Sequence, residues 1–456
     1  MATYPAFTDT AEAPAAIWLM TKQDWEGDQD LPDSLLAMAK AQKFEGGAGQ
    51  TVMTANSDGQ VDAVLLGLGN GQDKLSVAAL SARLPKGDYK IAYESALSFA
   101  QIAAGWADGA YCFDRYLKTK ATPPRLVIGD GDAAQSATQE AIAIHRLRDL
   151  INTPAEDMGP VQIQATISDI AERYGATLET IIGDALLEQN YPLVHAVGRA
   201  APQEPRIMEL SWGRESDPEL AIVGKGVSFD TGGLNLKTGG YMRLMKKDMG
   251  GSAHAIALAE LVMAANLPVR LKLYVPSVEN SISGTAFRPG DILQSRKGLS
   301  VEIDNTDAEG RLILADALAR ASESDPELII DFATLTGAAR VALGPDLAPY
   351  YTDDEPLAAA IATGSADSGD PAWRMPLWDP YLSMMKSPIA DLVNSASSSF
   401  AGSLTAAIFL KQFVDAKSWV HLDIWGWRES KYGRPAGGAA CGLRAMWAML
   451  EARFGA

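Results

Sequence analysis

Short apolar runs alternate with stretches of helical periodicity along nearly the whole chain, and that alternation restricts it to the α/β class. In the first third, runs at 15–20, 61–68, 89–94 and 126–129 suit buried strands. Helical periodicity at 75–84, 98–113 and 135–150 lies between and after them. Asn152-Thr153-Pro154 closes this block, because the residue before a proline is pushed out of the helical region. A second alternation follows, with strands expected at 177–182, 206–211, 220–223, 270–275, 328–332 and 419–424. Helices are expected at 162–174, 252–264, 312–321, 401–413 and 440–450, and the Ser/Gly/Asp/Pro-rich stretch 365–379 reads as a loop. At 456 residues the chain exceeds one ordinary core. Two α/β domains are therefore expected: a smaller one over 1–150 with an assembly or access role, and a larger one over 151–456 that carries the chemistry. The larger is expected to hold a mixed central sheet flanked by helices.

Composition narrows the partners. A formal net charge of −18 argues against nucleic acid, whose phosphates are bound mainly through Lys and Arg, and equally against an anionic membrane surface. Two cysteines, Cys112 and Cys441, are too few for a disulfide framework or a zinc ribbon and read as small buried residues. No basic leader opens the sequence and no apolar run approaches the roughly 18 residues of a membrane span, so a cytoplasmic protein is expected.

Carboxylates carry the chemistry. The run Asn305-Thr306-Asp307-Ala308-Glu309-Gly310-Arg311-Leu312 sets two acids and a guanidinium just ahead of an apolar helix. Upstream, Gly224-Lys225-Gly226-Val227-Ser228-Phe229-Asp230-Thr231-Gly232-Gly233 is read as a glycine-rich loop after the strand at 220–223. Lys246-Lys247-Asp248-Met249-Gly250-Gly251 precedes another helix. Loops that leave strands on one edge of an open α/β sheet are where ligands bind. Four acids meeting there would repel strongly, and two divalent ions would relieve that repulsion. A histidine-based zinc site is not expected: His145, His195, His254 and His421 form no ligand-like pair and no His-Glu-x-x-His pattern occurs.

Together the three segments resemble the leucyl aminopeptidase family of two-metal exopeptidases, from about Arg148 to the end of the sequence. Asn152-Thr153-Pro154, Arg288-Pro289-Gly290-Asp291, Ala333-Thr334-Leu335-Thr336-Gly337 and His421-Leu422-Asp423-Ile424 extend the resemblance. It implies that Asp230 and Glu309 bridge two metals, that Lys225 and Asp248 complete the tighter site, and that Asp307 completes the exchangeable one. The ions would be Zn²⁺ or Mn²⁺, with Mg²⁺ or Co²⁺ possible by ligand type. Lys237 would polarise the scissile carbonyl, and Arg311 would hold a bicarbonate acting as general base toward a metal-bridging water. Met245, Thr334, Gly337 and Trp425 would line the pocket for the substrate's first side chain. The implied substrates are peptides with a free N-terminus, and the implied assembly is a homohexamer.

Two segments depart from the family pattern. Trp425-Gly426-Trp427-Arg428 stands where a small residue and then glycine are usual, and Thr238-Gly239-Gly240-Tyr241-Met242-Arg243 lacks the usual proline. A leucine preference is therefore open, as is whether Trp425 and Trp427 face the pocket or pack in the core. Arg311 could alternatively pair with Glu309 or Asp307. A catalytically silent structural or DNA-associated relative should have lost ligands or gained basic surface, and neither is seen. A two-metal phosphoesterase gives no place to the lysine ligand or the Thr-rich segment.

Overall fold

The apolar runs of the first third pair into one sheet. In the computed structural model, which describes residues 3–27, 30–431 and 433–455, β1 (Phe7–Thr8), β2 (Ala15–Met20), β3 (Thr51–Ala55), β4 (Val61–Gly67), β5 (Asp88–Tyr93) and β6 (Arg125–Val127) lie in the order β1-β6-β5-β2-β4-β3. Neighbours are parallel except for the edge strand β3, antiparallel to β4. Ile17, Leu19, Val64 and Leu66 from this sheet share a core with Trp106 of helix α1 (Phe99–Ala110). A capping box starts α1: the Ser98 hydroxyl accepts from Gln101 N, and the Gln101 side chain accepts from Ser98 N. The stretch 75–84 holds only one helical turn, Ala78–Ser81. Its apolar pattern is explained by burial against α1, where Gly105 and Gly109 let the backbones touch. Helix α2 (Asp132–Asn152) follows β6.

The second alternation builds a nine-stranded sheet from β7 (Thr177–Ile182), β8 (Arg206–Trp212), β9 (Glu219–Gly224), β10 (Gly226–Asp230), β11 (Arg270–Asn280), β12 (Leu328–Ala333), β13 (Ala348–Tyr351), β14 (Ala372–Met375) and β15 (Trp419–Asp423). Its order is β14-β13-β15-β12-β9-β11-β8-β7, with β10 joined to β11. The four central strands β15, β12, β9 and β11 are mutually parallel, and antiparallel pairings at β7, β8 and β13 make the sheet mixed. Every residue of β9, β12 and β15 is buried, as expected of parallel strands covered on both faces. Helix α3 (Gly250–Ala264) is apolar all round and buried from Gly250 to Met263. Its one carboxylate, Glu260, is met by Arg146 at 2.9 Å and Arg173 at 3.1 Å. Helix α4 (Gly310–Ser322) is buried over most of its surface.

The chain thus has two α/β units, Met1–His145 with Arg428–Gly437, and Arg146–Trp427 with Gly438–Ala456. Several expectations need correction. The glycine-rich segment before Asp230 is not a loop but carries β10, held to β11 by main-chain pairing. The stretch 365–379 is not a loop either: it contains the end of the helix Glu355–Ser368, closed by Gly369 at φ +69°, and then β14. Cys112 is exposed just past α1, whereas Cys441 is buried and its N–H donates to His254 Nε2 at 3.0 Å.

Candidate metal centre and substrate cavity

The cavity lies where the parallel strands end and α3 and α4 begin, the position at which open α/β sheets bind ligands. Lys225 is the single residue between β9 and β10, and Asp230 ends β10. Met245 and Asp248 lie in the 3₁₀ stretch Gly239–Met249 that feeds α3, and Asp307 and Glu309 immediately precede α4. Thr334 and Gly337 follow β12, and Trp425 follows β15. With Lys237 and Arg311, these residues all border one cavity of about 650 Å³. The structure therefore brings together every site residue expected from the sequence.

Side-chain bonds to backbone hold the loops in place. In Asp230-Thr231-Gly232-Gly233 both glycines take positive φ, +87° and +61°, which turns the chain back so that Gly232 N donates to Asp230 Oδ1 at 2.8 Å. Asn280 Nδ2 donates to the same oxygen at 2.8 Å and to Thr306 O at 3.1 Å. Asn235 and Thr306 exchange bonds: Asn235 N donates to Thr306 Oγ1 at 2.8 Å, and Thr306 N to Asn235 Oδ1 at 2.9 Å. Asn394 accepts from Asp304 N through its side chain and from Arg311 Nη1 through its carbonyl, the latter at 2.8 Å. Sequence reading assigned no role to Thr306, although it stands in the run 305–312, and did not single out Asn235, Asn280 or Asn394, isolated polar residues with no spacing signal.

Charge is unevenly compensated in the centre. Lys225 Nζ reaches Asp248 Oδ2 at 2.5 Å, Glu309 Oε1 at 3.2 Å and Thr334 O at 3.1 Å, with its side chain 3% exposed. Burial works against this ammonium, yet Asp248, Glu309 and Asp230 outweigh burial and raise its pKa above the ordinary lysine value. Lys237 Nζ lies 2.6 Å from Asp230 Oδ2 and 2.5 Å from Asp307 Oδ1, and those carboxylates likewise outweigh burial and raise it. Burial, followed by the Asp230 charge, pushes Asp307 up to about 6 and Glu309 well above its ordinary value. Asp248 is held low, because Lys225 and Lys247 outweigh its burial.

These features test whether cations fit. Carboxylate oxygens of Asp230, Asp307 and Glu309 gather within 4.8 Å of one another. Glu309 Oε2 is buried without a hydrogen-bond partner, an arrangement costly for a carboxylate unless something else meets it. Four carboxylates and one amine form an oxygen-rich donor set of the kind hard or borderline divalent ions take. The residues present fit two such ions. Arg311 fits an oxyanion: its buried Nε has no partner, and burial lowers the guanidinium to about 10. The alternative ion pair of Arg311 with Glu309 or Asp307 does not form.

The remaining wall is the pocket. Thr334 Oγ1 donates to Asp248 Oδ1 at 2.9 Å, tying wall to centre. Asp423, at the end of β15, accepts from Leu335 N and Thr336 N, both at 3.0 Å, and so fixes the loop after β12. Trp425 borders the cavity, whereas Trp427 does not. Lys247 and Arg340, cations to which the sequence reading gave no role, border it as well. Lys247 Nζ lies 4.0 Å from the Trp425 ring centroid and Arg340 Cζ 4.1 Å from it. Burial pulls Lys247 down to about 8, with Asp248 opposing.

Comparison with known proteins agrees with this geometry. Residues 145–447 match the family model described as cytosol aminopeptidase family, catalytic domain, and residues 23–129 match the M17 aminopeptidase N-terminal domain. A probable cytosol aminopeptidase of Picosynechococcus sp. is 36% identical over 430 residues, covering 88% of this chain and 87% of that protein. The crystal structure of a cytosol aminopeptidase from Coxiella burnetii superposes with a TM-score of 0.91 at 41% identity, covering 98% of each chain. The bottromycin maturation enzyme BotP, solved in complex with Mn, gives a TM-score of 0.87 at 30% identity, covering 97% of this chain and all of BotP.

Proposed function

This chain belongs to the cytosol aminopeptidase family and is a leucyl aminopeptidase-type exopeptidase; from that premise we propose how its residues release N-terminal amino acids from peptides. The observation that carries the mechanism is the gathering of Asp230, Asp307 and Glu309 within 4.8 Å beside Lys225 and Asp248. Lys225, Asp230, Asp248, Asp307 and Glu309 would hold two divalent ions, Mn²⁺ or Zn²⁺, which supply Lewis acidity toward water, the scissile carbonyl and the substrate's free amine. By the family resemblance, Asp230 and Glu309 would serve both ions, Lys225 and Asp248 would complete one site, and Asp307 would complete the other. Lys225 must shed its proton to act as a ligand, and its buried position favours the neutral amine once the facing carboxylates are engaged elsewhere.

The other side chains act on the substrate. Lys237 directs its ammonium at the carbonyl oxygen, where negative charge develops. Arg311 would hold bicarbonate with its buried Nε, which no protein group meets, and that anion would supply a proton acceptor. Met245, Thr334, Gly337 and Trp425 receive the first side chain. In this reading residues 151–456 do the chemistry and 1–150 serve assembly or access, with a cytoplasmic homohexamer as the working form. Family likeness alone supports that assembly, and analytical ultracentrifugation tests it.

The decisive experiment compares leucine p-nitroanilide with its N-acetylated counterpart on Mn²⁺-loaded protein. Cleavage of the free amine alone, abolished by a chelator, is expected. Equal cleavage of both, or turnover that survives chelation, refutes the reading.

A further inference from the structure

The wall around Trp425 holds two cations that the chemistry above does not use. Lys247 is 2% exposed, yet its ammonium borders the cavity and lies against the indole of Trp425. Arg340 sets its guanidinium against the same ring. Among the described residues neither has an ion pair or a hydrogen bond with a protein acceptor. Shortage of acids is not the reason, since the chain has 57 Asp and Glu against 39 Lys and Arg. The carboxylates on this side are committed: Asp248 to Lys225 and Thr334, and Asp423 to the Leu335 and Thr336 amides and the Thr336 hydroxyl.

A buried ammonium recovers only part of its lost hydration from an aromatic face. An unpaired guanidinium beside it offers several donors in a planar fork that suits a carboxylate. Both cations stand on the wall assigned to the substrate's first side chain. We propose that Lys247, Arg340 and Trp425 form a receptor for a carboxylate-bearing first side chain, so that this enzyme prefers peptides beginning with aspartate or glutamate over leucine. The proposal rests on the aminopeptidase reading and adds its substrate class. The indole of Trp425 lies against both cations where they border the cavity.

The test measures kcat/KM of Mn²⁺-loaded protein on Glu-Ala, Asp-Ala and Leu-Ala, for the native chain, Lys247→Met and Arg340→Ala. The acidic dipeptides should be favoured, and each variant should lower the Glu-Ala to Leu-Ala ratio by about tenfold or more, the scale of one charge-assisted hydrogen bond. Calorimetric titration with free glutamate and leucine gives a second readout, in which each variant should weaken glutamate more than leucine. Arg340 is only half-buried, so its variant decides the matter if Lys247→Met does not fold. Leucine favoured, with a ratio unmoved by Arg340→Ala, overturns the proposal and leaves the aminopeptidase intact. No cleavage of any unblocked dipeptide overturns the aminopeptidase reading and this proposal with it.

Discussion

Replacing Gly310 with alanine should disable the metal centre while adding a single methyl group. A Cβ built at Gly310 would stand 2.2 Å from Lys225 Cε and 2.8 Å from both Cδ and Nζ. Lys225 has nowhere to go: its side chain is 3% exposed and its ammonium is fixed by Asp248, Glu309 and the Thr334 carbonyl. In an open helix, glycine to alanine is worth up to about 1 kcal/mol of added stability. Here the lysine must swing away and leave Asp248 and Glu309 facing each other, buried. Removing one partner of a buried ion pair costs about 3–5 kcal/mol, so a net loss of about 2–4 kcal/mol is expected for the metal-free protein. Mn²⁺ affinity should fall at least tenfold, since even residues that merely orient ligands matter by about 10–100-fold. Thermal unfolding of chelated protein and calorimetric Mn²⁺ titration measure both, beside Gly131→Ala, whose added Cβ meets nothing within 4 Å. Native-like melting and native-like Mn²⁺ affinity in the Gly310 variant would refute the placement of Lys225 in the ligand set.

Three further outcomes are expected. Asp307 rises from an ordinary 3.8 to about 6 on folding of the metal-free protein, so its contribution to stability is full below about 4 and is lost as pH rises through about 6. In chelated samples, Asp307→Asn should therefore gain stability relative to the native chain between pH 4 and 7, and parallel melting profiles would contradict this. Because Lys225 and Glu309 favour their protonated forms without metal, Mn²⁺ binding near neutral pH should release protons. Titration in buffers of different ionisation enthalpy counts them, and zero release would argue against Lys225 as a ligand. Asp423→Ala frees the Leu335 and Thr336 amides and should raise KM several-fold while leaving Mn²⁺ affinity within about twofold.

Much of this was legible in the sequence because two signals were strong. Short apolar runs such as 220–223 and 328–332, the second broken only by Asp331, belong to strands buried on both faces, and their length and composition identify them without tertiary information. The proposed ligands sit in segments that resemble a known family, and that resemblance named Lys225, Asp230, Asp248, Asp307 and Glu309. What escaped depended on contacts distant in sequence. Strand β10 was hidden because Gly226 and Ser228 weaken its local propensity, and only pairing with β11 makes it a strand. Asn280 and Thr306, which meet across the Asp230 and Asp307 loops, look like ordinary polar residues until the sheet is assembled. Lys247 stood inside a quoted motif but went unassigned, because a lysine beside an aspartate ordinarily faces solvent. Only folding shows it buried against Trp425.

The strand order has a consequence for how activity first arises. β15, from late in the chain, inserts between β12 and β13, and β9 pairs with β12 from about a hundred residues further on. Pairings of such long separation form slowly, after much of the chain is available. A growing polypeptide that already carries every proposed metal ligand still lacks the strand that supports Asp423 and Trp425. Until it arrives, β12 and β13 present open edges and the cavity has no far wall. Synthesis thus completes the substrate cavity last, after every segment that carries a proposed metal ligand has been made.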